Sequence, residues 1–250
     1  MDLYGFKIPR VAALLFWAAL WEIVGQFELL LLFPPLSEVL FALPDVVTTS
    51  SFAEAARITV AAYLGGLALA VVLGIGLGML MGLVKAADNL LNMWVNIFLS
   101  APLSALVPVI MILFGMGMPT VVVTVFMFAV WIIALDTRAG VLHVSPSLIE
   151  MSRSFGASRW ERFRIILLSA MPEILAGVRL GVIRGVKGVV IGQLLVSIIG
   201  VGALFSLYSQ NFQMAHFWAL ILILFAFALT LADVIARLET RIEYYAGARA

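Results

Sequence analysis

The polar residues that could do chemistry are concentrated in one stretch of this chain, residues 137–173, between very apolar segments. Within it, Ser145-Pro146 is typical of a helix start, with Ser as the N-cap and Pro at the first helical position. Gly156 is typical of the left-handed residue that ends a helix. The stretch therefore predicts a short helix over residues 146–155 that stops at a glycine.

A second helix is predicted directly after that glycine. Ser158, followed three residues later by Glu161, forms a capping box, and the helix then runs from residue 159 to about residue 170. Pro172 marks the turn into the next segment. Arginines beside Trp160 also suit a helix that lies on anionic lipid headgroups. Two capped helices joined at one glycine are more than lipid binding requires, so we expect a surface that a partner protein grips.

Catalytic and metal-binding chemistry finds little support in the sequence. The chain has no cysteine, and neither His143 nor His216 belongs to a metal-ligand motif. No GxxxxGK[ST] stretch is present, so a phosphate-cradling loop is absent. An intramembrane enzyme would need a catalytic constellation, whereas Asp136 and Asp233 are only two acids near span ends. We therefore expect no enzyme, no metal site and no bound cofactor in this chain.

Composition requires lipid as the solvent for most of the chain. Hydrophobic residues make up 64% of the sequence and charged residues 12%, whereas soluble domains are about half apolar and a quarter charged. Long apolar runs satisfy their backbone hydrogen bonds in lipid as helices. The expected fold is an all-α membrane protein, one domain over residues 1–250, with six spans at residues 11–33, 58–83, 90–114, 120–135, 174–199 and 217–235.

The distribution of positive charge predicts the orientation of these spans. Cytoplasmic loops carry an excess of Lys and Arg. With the N-terminus inside, one external cation, Arg57, is opposed by eleven cytoplasmic ones: Lys7, Arg10, Lys85, Arg138, Arg153, Arg159, Arg162, Arg164, Arg237, Arg241 and Arg249. Both termini and the polar stretch 137–173 are therefore predicted to be cytoplasmic, the stretch lying between the fourth and fifth spans.

Three further segments contain prolines, capping residues or glycines that predict local structure. Pro102 and Pro108 predict kinks in the third span, which suit either a solute pathway or simple packing. In the external segment 34–56, Ser37 with Glu38 predicts the cap of a short surface helix. Glycines in the second span indicate close helix packing, and they are Gly65, Gly66, Gly74, Gly76, Gly78 and Gly82.

These motifs resemble the permease subunit of binding-protein-dependent ABC importers, whose cytoplasmic signature is EAA, then glycine, then a hydrophobic-proline end. Here the match is Glu150-Met151-Ser152, Gly156-Ala157-Ser158, Ile165 and Pro172. The similarity extends over nearly the whole chain and favours the nitrate/sulfonate/taurine branch. The segments that carry it are Trp21-Glu22, 33–39, 74–78, 153–160 and 177–181.

The resemblance implies a transport subunit of the bacterial inner membrane. Its expected partners are a second permease copy, two ABC ATPase subunits that bind ATP and Mg²⁺, an extracytoplasmic solute-binding protein and the lipid bilayer, with no nucleic acid. The implied cargo is a small anionic solute such as a sulfonate, taurine or a nitrate-like ion. The residues implied in ATPase coupling are Glu150, Met151, Ser152, Arg153, Ser154, Phe155, Gly156, Ala157, Ser158 and Arg159.

Departures from the family pattern concern the solute more than the coupling. Met151 and Ser152 replace the two alanines of EAA. Gln193 stands where a glutamate is common, Ala62 where an arginine is common, and Asp136 where asparagine is expected. These three positions are ones where the family commonly has a polar residue inside a span. Because this chain differs at all three, the choice of solute stays open.

Polar residues in the third and fifth spans are candidates for the solute pathway, although such groups often serve packing. Arg184 and Lys187 could attract an anion, pair with Asp136 or Asp233, or extend to the surface. The candidate pathway residues are Asn96, Ser100, Ser104, Gln193 and Ser197.

Two other functional classes remain as alternatives. A secondary transporter or channel would show internal repeats and paired broken helices, and neither is evident in the sequence. A scaffold subunit would have no need of a capped and hinged cytoplasmic helix pair.

Overall fold

The computed structural model describes residues 2–3, 6–7, 10–27, 32–196 and 199–247, and these residues are almost entirely helical. Two strands, β1 (Asp2–Leu3) and β2 (Phe6–Lys7), pair antiparallel near the N-terminus. The helices are α1 (Arg10–Gln26), α2 (Leu36–Thr48), α3 (Ser50–Leu83), α4 (Lys85–Ser100), α5 (Val107–Phe114), α6 (Met118–His143), α7 (Pro146–Ser154), α8 (Arg159–Ser169), α9 (Met171–Val196), α10 (Gly200–Gln210) and α11 (Met214–Gly247).

The predicted all-α membrane fold is confirmed, with changes at the ends of the spans. Among the described residues, α3, α6 and Met214–Leu231 of α11 are long and apolar enough to cross a membrane. Two bent pairs, α4 with α5 and α8 with α9, raise that number to five if each pair is one span. The first predicted span, residues 11–33, is represented by a shorter apolar helix, Ala12–Gln26.

The third span is broken, where the sequence predicted one kinked helix. Helix α4 ends at Ser100, a 3₁₀ turn covers Leu103–Leu106, and α5 leaves at 96° to α4. Ala101 precedes Pro102 and has extended backbone with ψ of 145°, as expected because a proline ring disfavours α geometry in the residue before it. Pro108 lies in the first turn of α5, where a missing N–H costs no helical hydrogen bond.

Small residues bring α3 against α6 along most of their length. Four glycines of α3 face α6, and a Cβ added at Gly78 would lie 2.5 Å from the Ala134 carbonyl oxygen and from Thr137 Cβ. Such contacts require backbones close enough to exclude any side chain between them. The glycines follow a spacing of four or eight residues, with Ala70 completing the row, and they are Gly66, Gly74, Gly78 and Gly82.

Helix α9 approaches an adjacent face of α6 in the same way, because Ile133 lies against glycines of both α3 and α9. A Cβ at Gly181 would lie 2.6 Å from Ile133 Cδ1, and one at Gly177 would lie 2.7 Å from Asp136 Cβ. Val182, Val186 and other buried valines of α9 form a core with residues of α3 and α6. The three helices α3, α6 and α9 therefore form one closely packed block.

At the end of the bundle where α1 finishes, α1 holds the start of α2. The Glu22 carboxylate accepts hydrogen bonds from the Ser37 N–H (2.8 Å) and Oγ (2.8 Å), and Trp21 Nε1 donates to the Pro34 carbonyl (3.0 Å). The predicted short helix is present, but the predicted cap by Ser37 with Glu38 is wrong. Glu22, on a neighbouring helix, satisfies the free N–H instead and places negative charge at the helix N-terminus.

Two glycines of α3 provide a matched test of this packing. We expect Gly78→Ala to destabilise the protein by about 1–3 kcal/mol, because the added methyl forces α3 away from α6. Gly76→Ala should be neutral or slightly stabilising, since a Cβ there meets nothing within 4 Å and alanine is the better helix former. Thermal unfolding in detergent, followed by size-exclusion fluorescence, measures both. Equal melting temperatures for the two variants would contradict the close packing of α3 against α6.

Candidate functional site

The polar stretch forms two short helices, α7 and α8, as the sequence predicted. Ser145 is the N-cap residue of α7 and Pro146 lies in its first turn, but the Ser145 side chain makes no capping hydrogen bond. Its Oγ instead lies 2.7 Å from Ser147 Oγ. The start of α7 was therefore predicted correctly, while the predicted capping contact is wrong because a second serine competes for the hydroxyl.

Gly156 ends α7 in the left-handed conformation, with φ of +74°. Its N–H donates to the Arg153 carbonyl (2.9 Å), and the Ala157 N–H donates to the Ser152 carbonyl (2.9 Å). This pair of bonds is the Schellman motif, which satisfies the last carbonyls of a helix. The direction in which the chain leaves α7 is therefore fixed by backbone hydrogen bonds.

A complete capping box starts α8. Ser158 Oγ accepts from the Glu161 N–H (3.3 Å), and the Glu161 carboxylate accepts from the Ser158 N–H (2.7 Å). The hydrogen bond from the Ser158 backbone, with a smaller contribution from its side chain, lowers the pKa of Glu161 below its ordinary value of 4.5. With both ends of the four-residue link fixed, α7 and α8 form one stiff unit.

The inner faces of α7 and α8 are anchored to the block of three helices. Leu148 and Ile149 of α7 and Phe163, Ile166 and Leu167 of α8 pack against a buried cluster. The residues of that cluster are Met79 of α3, Val141 of α6, Val144 just after α6, Ala170 between α8 and α9, and Ile174 of α9. A force applied to the helix pair therefore reaches α3, α6 and α9 together.

The outer face of the pair combines exposed apolar side chains with charge. The Phe155 side chain is 84% exposed, Trp160 70% and Met151 52%. A cavity of about 490 Å³ beside the link is lined by Phe155, Gly156, Ala157, Glu161, Arg164, Ile165 and Leu168. Exposed large apolar side chains rimmed by charges are typical of a protein–protein contact.

The structure brings together all ten residues that the sequence assigned to ATPase coupling. Most of them lie on the exposed surface of α7 and its link to α8. Ser152 is buried, with its Oγ donating to the Ile149 carbonyl (2.7 Å), and Ala157 is partly buried. Their role in coupling stays a prediction.

The residues predicted for the solute pathway do not form one cluster. Ser100 is exposed at the end of α4, and Ser104 is exposed in the 3₁₀ turn between α4 and α5. Asn96 is exposed one turn earlier, and its amide donates to Asn92. Gln193, in contrast, is buried on α9 and contacts α3, and Ser197 lies outside the described residues.

Gln193 belongs to a buried polar junction among α3, α9 and α10. It is 2% exposed, and its Oε1 lies 3.0 Å from the Thr59 hydroxyl, which is also 2.8 Å from the Ala55 carbonyl. The Val201 N–H donates to the same hydroxyl (3.1 Å). Through Oε1 and the Thr59 hydroxyl, Gln193 is connected to the start of α10, whereas its buried Nε2 has no hydrogen-bond partner among the described residues. Its place in a solute pathway stays a prediction. Sequence reasoning missed Thr59, because its partners are distant in the chain.

One ion pair was also missed. Arg138 of α6 donates two hydrogen bonds to the Asp88 carboxylate of α4, with Nη2 2.7 Å from Oδ2. Bidentate contacts of this kind fix orientation as well as distance. The pair ties the start of the broken span to α6, one and a half turns before α6 ends. Opposite charges at two span ends were the available signal in the sequence.

Fold and site together define a helical membrane transport subunit that carries a stiff helix pair at one end of its bundle. The family model for "binding-protein-dependent transport system inner membrane component" matches residues 70–244. The chain belongs to this family, and it is therefore an inner-membrane permease of the ABC importer class.

The relatives and the solved structures agree with this assignment. The chain is 28% identical over 204 residues to the taurine transport system permease protein TauC of Escherichia coli K12, covering 78% of this chain and 73% of TauC. It is 38% identical over 152 residues to the glycine betaine/proline betaine permease ProW of the same organism, covering 60% and 41%. A solved amino acid ABC transporter matches with a TM-score of 0.64 at 19% identity, over 80% of this chain and 97% of that one, which shows the fold alone.

The capping box makes a prediction about pH. Because the folded-state pKa of Glu161 is lowered, the contribution of its carboxylate to stability is fully present above the unfolded pKa near 4.5. That contribution is lost as the pH falls through the lower folded pKa. We expect a carboxyl ¹³C NMR titration of Glu161 in nanodiscs to give a pKa below 4.5, and Ser158→Ala to move it upward. The same pKa in wild type and variant would show that the Ser158 hydroxyl takes no part in the box, and a wild-type pKa of 4.5 or above would show that the backbone hydrogen bond is absent as well.

Proposed function

We propose that this chain is the membrane-embedded subunit of an ATP-driven importer and passes a small anionic solute into the cytoplasm by alternating access. The observation that carries this proposal is the α7–α8 pair, which is stiff, exposed on its outer face and packed on α3, α6 and α9. A membrane protein that only conducts or only scaffolds has no need of such a part.

ATP hydrolysis belongs to partner subunits in this proposal. The sequence contains no phosphate-cradling GxxxxGK[ST] loop, so ATP and Mg²⁺ bind in a separate ABC ATPase. Each permease presents one α7–α8 pair, and two ATPase subunits are served by two permease copies. A homodimer of this chain is the simplest such assembly, since most soluble and membrane oligomers are closed and symmetric.

The outer face of the pair supplies the docking contacts. Phe155 and Trp160 would enter an apolar groove in the ATPase, and Arg153 and Arg159 would set the register by their charges. When two ATPases close on ATP, they would draw the two pairs together. Because each pair is packed on the three-helix block, the block would turn with it and open the pathway outward. This coupling between two states is what allosteric control requires.

Charge supports a cytoplasmic location for the pair. Lys85 and the Asp88–Arg138 ion pair lie near the bundle end that carries α7 and α8. Arginines of α7 and α8 add to the positive charge at this end, which agrees with the bias of cytoplasmic loops. A binding protein would then deliver solute at the opposite end, where α2 begins.

Two of the relatives support a solute with an oxyanion, although a third, the riboflavin permease RibX of Chloroflexus aurantiacus, is named for a solute without one. The names of the first two specify taurine in one case and glycine betaine or proline betaine in the other. Taurine carries a sulfonate and the betaines carry a carboxylate, so a small molecule with a negatively charged group is common to both. We propose sulfonates, taurine and nitrate-like ions as the solute class.

Transport by the purified assembly tests the function. We expect the tagged chain to copurify with an ABC ATPase in equal amounts, and proteoliposomes to accumulate radiolabelled taurine only with ATP inside and binding protein outside. A secondary transporter would instead take up taurine with an ion gradient and no ATP. Copurification without an ATPase, or uptake that is indifferent to ATP, would contradict the importer.

Gly156 allows the coupling to be tested separately from assembly. Its φ of +74° lies where β-branched residues are strained, and left-handed geometry costs an ordinary residue about 1–2 kcal/mol. We expect Gly156→Val to lower ATP-driven uptake by about tenfold, whereas Gly156→Asn should retain most activity because asparagine tolerates this conformation.

The surroundings of Gly156 make the comparison clean. A Cβ at this glycine meets nothing within 4 Å, so a steric clash does not explain a difference between the two variants. Both proteins should assemble with the ATPase in equal yield. Full ATP-driven uptake by Gly156→Val would reject the role of the glycine link.

A further inference from the structure

A cleft of about 550 Å³ opens on one side of the bundle, between α9, α10 and α11. Its described lining is aliphatic or phenyl at every position except Lys187, which supplies the charge. The apolar walls come from α9, with Ile183, Val190 and Leu194, and from the facing helices, with Phe205, Phe217 and Phe225.

Lys187 lies deep within its span. By helix geometry it is about 24 Å from the first residue of α9 and about 14 Å from the last. The hydrocarbon core of a bilayer is about 30 Å thick, so Lys187 falls inside it whichever end of α9 reaches the surface. The side chain is nevertheless exposed. An ammonium that faces hydrocarbon is costly, and such residues therefore face water, a partner charge or a solute path.

The two aspartates that the sequence offered as partners of Lys187 interact with arginines instead. Arg184 exerts its electrostatic attraction on Asp136 of α6, and Asp233 forms an ion pair with Arg237 (2.6 Å). Among the described residues, no carboxylate lies within ion-pair distance of Lys187. Of the three explanations that the sequence left open for this lysine, pairing with either aspartate is therefore not what the structure shows.

We propose that this cleft is a water-filled part of the solute path and that Lys187 attracts the oxyanion of the transported solute. The proposal rests on the proposed function and gives the anion a specific residue. The occupant is the solute and not a lipid, because phosphate headgroups stay at the membrane surface while Lys187 lies in the hydrocarbon region. One cation among apolar walls attracts an anion without enclosing it, which suits a site that must also release its cargo.

The absence of cysteine from the chain makes a direct test possible. A cysteine replacing Leu194, two turns along α9 in the same cleft, can be modified in the assembled transporter with two thiol reagents of similar size. One methanethiosulfonate carries a sulfonate and the other a trimethylammonium group. We expect both to react, with the ratio of anionic to cationic rates about tenfold higher than in a second variant that also carries Lys187→Met.

Two controls isolate the charge of Lys187. Lys187→Arg keeps the charge and should preserve the ratio. Lys85→Met removes an exposed lysine outside the cleft and should leave the ratio unchanged.

Each other result overturns the proposal. A Leu194→Cys protein that reacts with neither reagent would show that the cleft faces lipid. A ratio that does not respond to Lys187→Met would show that another group sets the field. Neither result bears on ATP-driven uptake by the wild-type assembly, and a failure of that uptake would leave the charge selectivity of the cleft intact.

Discussion

The structure depends on how closely α3, α6 and α9 approach one another. In lipid there is little hydrophobic gain from bringing apolar helices together, so their association relies on van der Waals contact between closely spaced backbones. Gly66, Gly74, Gly78 and Gly82 provide that contact on α3, and glycines of α9 provide it on an adjacent face of α6. Packed interiors of this kind deform little and transmit displacement. The three helices therefore behave as one block, to which the functional parts are attached.

Two attachments lie at the same end of this block. The α7–α8 pair is packed on it through Phe163, Ile166 and their neighbours, and the broken span is tied to it by the ion pair between Asp88 and Arg138. Helix α8 leads almost directly into α9 with a bend of 57°. A movement of the pair is thus connected both to the block and to the helix whose break exposes Ser100 and Ser104. If the pair couples to an ATPase and the two serines line the solute path, as proposed above, the two parts are joined by short contacts with no long loop between them.

Local signals made the helix pair predictable from sequence, whereas distant contacts made the interior unpredictable. Gly156, Ser158 and Glu161 act within a few residues of one another, and the structure contains both motifs that their order indicated. The sequence predicted a kink at Pro102, whereas the structure has a complete break there. The extended backbone of Ala101, which ends α4, is seen only in the structure. Thr59 and Gln193 are 134 residues apart, and no spacing rule relates them. The cap of α2 was misassigned for the same reason, because Glu22 belongs to another helix.

Polar side chains inside the spans differ in whether the folded chain supplies them with a hydrogen-bond or charge partner. Gln193 contacts the Thr59 hydroxyl through Oε1, while its buried Nε2 has no hydrogen-bond partner among the described residues. Arg184 attracts the carboxylate of Asp136, so part of the cost of these two polar side chains in an apolar medium is met within the protein. Lys187 carries a full charge, which is costlier at membrane depth than a neutral amide, and it has no carboxylate partner among the described residues. A charge in that position is expected to face water, a partner charge or a solute. The sequence offered Gln193 as a candidate for the solute pathway and left three explanations open for Lys187. The neighbours of each side chain, which the sequence does not reveal, distinguish the junction around Gln193 from the unpaired charge of Lys187.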